Sequence, residues 1–98
     1  MLKKTYTKTR RSCRVTFKLP ADIEAESVAV LGEFNEWQPE ANQMTKRKDG
    51  TFSATLSLPV GSDYRFRYLL DGERWINDEQ ADDLVINQYG TQDGIITI

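Results

Sequence analysis

Histidine is absent from the 98-residue sequence, and cysteine occurs once, at position 13. Those two scarcities remove Ser-His and Cys-His nucleophile pairs, histidine metal sites and thiolate zinc clusters together. No glycine-rich phosphate loop or dinucleotide fingerprint is present. A lone Cys13 forms no intramolecular disulfide, which fits a reduced intracellular compartment and a role as a small buried hydrophobe. Long apolar runs are also missing: nothing approaches the roughly 18–20 residues of a membrane-spanning helix. "MLKKTYTKTRRS" is basic but is not followed by the apolar stretch of a signal peptide. The expectation is a soluble, cytoplasmic protein, and the length suits one compact domain.

The net charge of -2 conceals an asymmetry. Residues 1 to 18 carry seven Lys or Arg and no acid, whereas the remaining 80 hold 6 basic and 15 acidic side chains. Such a split marks either an arm for nucleic acid or an anionic surface, or a basic edge strand attracted by an acidic body. The second reading is preferred, with residues 1–12 as a mobile arm or an added edge strand and 13–98 as the domain. Nucleic acid and membrane are not expected partners.

From Cys13 onward the apolar pattern has period two, which predicts strands. "CRVTFKLP" alternates Val15, Phe17 and Leu19 against Arg14, Thr16 and Lys18. "ESVAVLGE" is more continuously apolar, as in a central strand. "TFSATLSLP" puts Phe52, Ala54, Leu56 and Leu58 on one face, and "DYRFRYLLDG" puts Tyr64, Phe66, Tyr68 and Leu70 inward, with Arg65, Arg67 and Leu69 opposite. "ERWI", "LVIN" and "GIITI" are further short segments, and "KDGT" and "LDGE" read as Asp-Gly turns. The predicted fold is an all-β antiparallel sandwich of about seven strands. Without a second cysteine, it rests on packing alone.

Carboxylates are the remaining catalytic candidates, notably Asp78, Glu79, Asp82 and Asp83 in "NDEQADD". Glycoside hydrolysis needs two carboxylates, one of them shielded in a pocket, and so small a sandwich offers no deep cleft. The spacing does not match a calcium loop. This segment reads as a solvated loop, and no catalysis, cofactor or metal is expected.

Two tryptophans stand out, Trp37 in "FNEWQP" and Trp75 in "DGERWIND". Each either folds into the core or presents a flat platform. Arg67 projects from the solvent face of its strand, and "NQYGTQDG" supplies Tyr89, Thr91, Gln92 and Asp93. Aromatic platforms beside hydrogen-bonding groups suit a sugar, whose C–H groups lie on an indole while its hydroxyls bond at the edges.

"VAVLGEFNEWQP", "GTFSATLSLPVGSDYRFRYLLDGERW" and "NQYGTQDGIITI", spanning about Arg14 to Ile98, resemble the family-48 carbohydrate-binding modules. These are early-set immunoglobulin-like domains of the AMP-activated protein kinase β subunit, isoamylases and glycogen branching enzymes, and the chain looks most like stand-alone bacterial members. The resemblance implies non-catalytic recognition of α-1,4-linked glucan, with Trp37 and Trp75 stacking on sugar rings and Arg67 bonding hydroxyls. It assigns Tyr89 to the residue that pushes through the curve of the glucan, Thr91 to its neighbouring threonine and Asp93 to an asparagine that fixes hydroxyls. Tyr89 replaces an aliphatic residue, Asp93 replaces an amide, and one extra residue separates Gly72 from Trp75. Two other readings stand beside this one: a module that docks on a glucan-metabolising enzyme or kinase with its tryptophans packed, and anion or nucleic-acid binding by the basic arm.

Overall fold

Alternating apolar residues become strands wherever the sequence has period two. The computed structural model describes residues 2–9, 11–78 and 80–98; Met1, Arg10 of the basic run and Glu79 of the acidic loop lie outside the described residues. Nine strands are seen among them: β1 (Leu2–Tyr6), β2 (Ser12–Leu19), β3 (Val28–Gly32), β4 (Thr45–Lys46), β5 (Phe52–Pro59), β6 (Asp63–Leu70), β7 (Arg74–Ile76), β8 (Asp83–Ile86) and β9 (Gln92–Thr97). A 3-10 turn, Glu33–Asn35, follows β3. The seven strands read from the sequence are present, and the two added are β1 and the two-residue β4.

One sheet has the order β1-β2-β5-β4; the other runs β3-β6-β9-β8, with β7 also paired to β6. All pairings are antiparallel. The inward rows of both sheets interdigitate as in an immunoglobulin-like sandwich. At the centre, Phe17 lies 5.3 Å from Phe66 and 6.4 Å from Tyr68 between ring centroids, in edge-on contacts. Cys13 is fully buried and free.

The continuous apolar run of β3 has a different origin from the one expected. β3 ends the hydrogen-bonded order of its sheet rather than lying inside it. Its outer edge is nonetheless covered, because Met44 N–H donates to the Val28 carbonyl at 2.8 Å and Val30 N–H to that of Asn42 at 3.0 Å. Both faces are buried as well: Val28 and Val30 in the sandwich core, Ala29 and Leu31 in a second small cluster with Leu69.

The basic segment also has a defined place. Leu2–Tyr6 pairs along β2 from Leu2↔Phe17 to Tyr6↔Cys13. Lys4 crosses to the other sheet, where its Nζ donates to Asp82 Oδ2 at 2.7 Å and to the Thr97 carbonyl at 2.9 Å. Partial burial pushes the Asp82 carboxyl up, but the Lys4 hydrogen bond, the Thr97 N–H and the Lys4 charge together hold it below the usual carboxylate range.

The solvated-loop reading of "NDEQADD" fails at Asp78, which is only 4% exposed. Its Oδ2 accepts the Tyr68 hydroxyl at 2.7 Å and its Oδ1 accepts the Gln80 N–H at 2.8 Å. Burial, then the Asp78 charge, push the Tyr68 phenol well above its ordinary range. No helix among the described residues is long and apolar enough to cross a membrane.

Candidate functional site

Side chains of residues directly opposite in an antiparallel pair share a face. Leu31 faces Arg67, Ala29 faces Leu69, and Leu69 faces Trp75, so all five project from the outer face of the second sheet. Leu69, placed by alternation on a solvent side, is only 8% exposed because Trp37 packs on the Ala29, Leu31 and Leu69 cluster. Trp37 therefore buries one side against this cluster and turns the other toward a groove.

The "GEFNEW" stretch aims that indole. A Cβ at Gly32 would lie 2.4 Å from the Arg65 carbonyl oxygen, a backbone contact that cannot yield cheaply. Asn35 Oδ1 accepts the Gly32 N–H at 3.0 Å, and its Nδ2 donates to the Val30 carbonyl at 2.9 Å and to Asn42 Oδ1 at 2.8 Å. Phe34 reaches inward, its ring centroid 5.8 Å from that of Phe17. Glu36 and Trp37 are then both left-handed, at φ 56 and 59, and the Trp37 N–H closes the turn on the Gly32 carbonyl at 3.0 Å. Positive φ is costly for so bulky a residue, and such outliers cluster at ligand sites.

Trp75 follows the Asp71-Gly72 turn, whose φ values of 52 and 70 are those Asp-Gly pairs adopt in tight hairpins. Asp71 Oδ1 accepts the Glu26 and Ser27 N–H groups at 2.8 and 2.9 Å, fixing the hairpin against the segment before β3. Trp75 pairs with Leu69 and is 42% exposed beside the groove.

Arg67 lies between the aromatic and acidic parts. Its guanidinium sits 4.6 Å from the Trp75 ring centroid, a cation–π contact worth about 0.5–2 kcal/mol. Its Nε, buried and without a hydrogen bond, is 3.3 Å from Asp93 Oδ1, so that contact is coulombic rather than aligned for donation. Arg65 Nη1 approaches Asp93 Oδ2 at 3.5 Å, and Asn87 Nδ2 donates to Asp93 Oδ1 at 3.1 Å. Asp93 is 5% exposed, so its carboxylate is largely committed to these neighbours.

Tyr89 sits at the tip of the β8–β9 hairpin, 79% exposed. Asn87 shapes that hairpin: its Oδ1 accepts the Tyr89 and Thr91 N–H groups at 2.9 and 3.2 Å, and its N–H donates to the Thr91 carbonyl at 2.8 Å. The Thr91 hydroxyl lies 2.8 Å from Asn87 Nδ2 and 3.1 Å from its Oδ1.

A groove of about 730 Å3 runs between these elements, lined by Glu33, Trp37, Arg65, Arg67, Trp75, Ile86, Asn87, Gln88, Tyr89 and Asp93. Five of the six residues singled out in the sequence, Trp37, Arg67, Trp75, Tyr89 and Asp93, are brought together there, while Thr91 stands outside the lining and is tied to Asn87. Sequence reasoning passed over Glu33, Arg65, Ile86, Asn87 and Gln88. Arg65 was legible from alternation, two residues before Arg67 on the same face. Asn87 was legible from the Asn-x-x-Gly turn pattern. Glu33, whose Oε1 accepts the Arg65 N–H at 2.8 Å, carried no signal. The groove's two carboxylates and two guanidiniums balance formally, which suits an uncharged ligand with polar edges. Among the described residues, no three His, Cys, Asp or Glu side chains are placed to hold a metal ion.

A family model described as the glycogen recognition site of AMP-activated protein kinase matches residues 13–98. The chain is also 37% identical over 59 residues to an amylopullulanase of Thermoanaerobacter thermohydrosulfuricus, a match that covers 56% of this chain and 4% of that much longer protein. With the matched span taking in every strand from β3 to β9 and nearly all of β2, the chain belongs to the family of carbohydrate-binding modules typified by the glycogen recognition site of AMP-activated protein kinase.

Proposed function

We propose that the groove binds α-1,4-linked glucan, glycogen- or starch-like, without catalysing its breakdown. The observation that carries this reading is the meeting of two half-exposed indoles, Trp37 and Trp75, beside a charge-balanced set of arginines and carboxylates in one open groove. Sugar rings lay their apolar faces on Trp37 and on the part of Trp75 that Arg67 leaves free, while Tyr89 closes the far side. Arg67 and Arg65 offer N–H donors to hydroxyls, and Thr91 stands at the margin. Asp93 acts mainly by holding the arginines, its carboxylate having little exposed surface left for sugar. The family match and the amylopullulanase likeness support the ligand class. The setting this reading favours is cytoplasmic.

Two platforms, each covering on the order of 100 Å2 at about 25 cal/mol per Å2, give roughly 5 kcal/mol before ordering costs. The expected dissociation constant lies between about 10 μM and a few mM. Calorimetric titration with maltoheptaose tests this. Trp75→Ala is the cleaner probe, because Trp37→Ala also uncovers the Leu69 cluster. Loss of heat in a folded Trp75→Ala protein supports the site; no heat from the wild-type protein at millimolar sugar sinks it.

A second reading, docking on a glucan-metabolising enzyme, draws on Leu84 and Ile86 of β8, which expose apolar surface next to Tyr89. It predicts that Leu84→Lys, at a position exposed but outside the groove lining, abolishes enzyme binding and spares maltoheptaose.

A further inference from the structure

The outer face of the β1-β2-β5-β4 sheet lies on the opposite side of the sandwich from the groove and has a different chemistry. Its cross-strand rows run Lys3–Thr16–Thr55 and Thr5–Arg14–Ser57. Lys3 and Arg14 are thus diagonal neighbours on one face, within about 7–8 Å. Between them is a depression of about 150 Å3 lined by Lys3, Thr5, Arg14, Thr16 and Thr55.

The basic residues near the amino terminus do not share one role. Lys4 is paired with Asp82, and Lys18 lies in the field of Asp49. No carboxylate lines the depression, and neither Lys3 nor Arg14 belongs to the ion pairs found among the described residues. Two cations held side by side on a rigid sheet repel one another, and a bound anion removes that repulsion. The surrounding groups also suit a tetrahedral oxyanion: a guanidinium fork, an ammonium point charge, and the Thr16 and Thr55 hydroxyls 3.1 Å apart.

We propose that this depression is an oxyanion site that takes the phosphoryl group of a phosphomonoester, with Lys3 and Arg14 as its cations and the hydroxyls of Thr5, Thr16 and Thr55 as donors. A nucleic-acid strand would call for a longer row of cations with stacking aromatics; here Lys18, the next cation along β2 on this face, already faces Asp49. The site is independent of the glucan groove and stands or falls separately.

Amide-resolved NMR titration of the full chain with inorganic phosphate, at ionic strength held constant with sodium chloride, tests the proposal. The expected result is saturable shifts centred on residues 3–5, 14–16 and 55, weakened at least fivefold in both Lys3→Gln and Arg14→Gln. The same spectra report that each variant is folded, and both retain the maltoheptaose response. Glucose 6-phosphate distinguishes the sources: tighter binding than phosphate points to a phosphorylated sugar, and equal binding to the phosphoryl group alone. Shifts that do not saturate, or that persist unchanged in both variants, overturn the site.

Discussion

Arg67 is held between Trp75 and Asp93, its guanidinium 4.6 Å from the indole centroid and its Nε 3.3 Å from the carboxylate. One side chain thereby couples the aromatic platform of β7 to the buried acid of β9. The arrangement gives Asp93 a purpose that an amide in its place would not serve, because two cations, Arg65 and Arg67, converge on it.

Replacing Asp93 by Asn separates charge from shape. The Asn87 contact keeps an acceptor, but both guanidiniums lose their counter-charge, and Arg67 is no longer fixed beside Trp75. With the arginines partly solvated, stability falls by about 1–2 kcal/mol, read as a lower urea midpoint with an unchanged slope. Maltoheptaose affinity falls about three- to tenfold by calorimetry. An Asn variant that binds tighter would mean that the carboxylate opposes the sugar rather than preparing its site.

Asn87 organises the Tyr89 hairpin through hydrogen bonds that Ala cannot make. Its substitution removes a local turn and leaves the core untouched, so thermal stability changes little. Amide exchange quickens at residues 88–91, and glucan affinity drops about fivefold. Affinity equal to wild type would show that the hairpin, Tyr89 included, does not touch the ligand.

Much of this architecture is legible in the sequence, because burial on one face of a strand writes itself as alternation. β2 follows that rule residue by residue, and β5 and β6 follow it in their inward rows but break it at Ser53 and Leu69, which are buried on the opposite face. The illegible parts are those where a side chain's fate depends on a distant partner. Leu69 is buried on the outer face because Trp37, from another loop, lies over it. Asp78 is buried two residues beyond β7, where Tyr68 of the neighbouring strand β6 donates its hydroxyl to it. The groove follows the same division: Trp37, Trp75 and Arg67 announce themselves by residue type and turn context. Glu33 does not, since its role is to accept a backbone N–H from β6.

Tyr68→Phe tests the buried polar pair. The phenylalanine fills nearly the same space but withdraws one hydrogen bond from the Asp78 carboxylate, which is 4% exposed. Hydrogen bonds to charged groups contribute about 1.5–3 kcal/mol, so the urea midpoint should fall accordingly. Glucan affinity should hold, because Tyr68 points away from the groove into the core. A loss below 0.5 kcal/mol (about a third of that lower bound) would mean that the Asp78 site closes up at little cost.

Acid sensitivity follows from Asp82 and Asp71, both held below the ordinary carboxylate range. For Asp71 the Ser27 and Glu26 N–H groups are the chief cause; for Asp82, partial burial is outweighed by the Lys4 and Thr97 hydrogen bonds together with the Lys4 charge. A depressed folded-state pKa stabilises the fold above the unfolded value, about 3.9 for Asp, and that contribution disappears as pH falls through the folded value. The melting temperature should therefore stay level through neutral pH and decline below about pH 4. Lys4→Ala removes part of the preference for ionised Asp82 and detaches β1 from the second sheet's edge. It should lower the plateau at pH 7 and make the acid decline shallower. If wild type and Lys4→Ala instead differ by the same amount at pH 7 and at pH 3, the Lys4 contribution comes from packing of β1 and not from its charge.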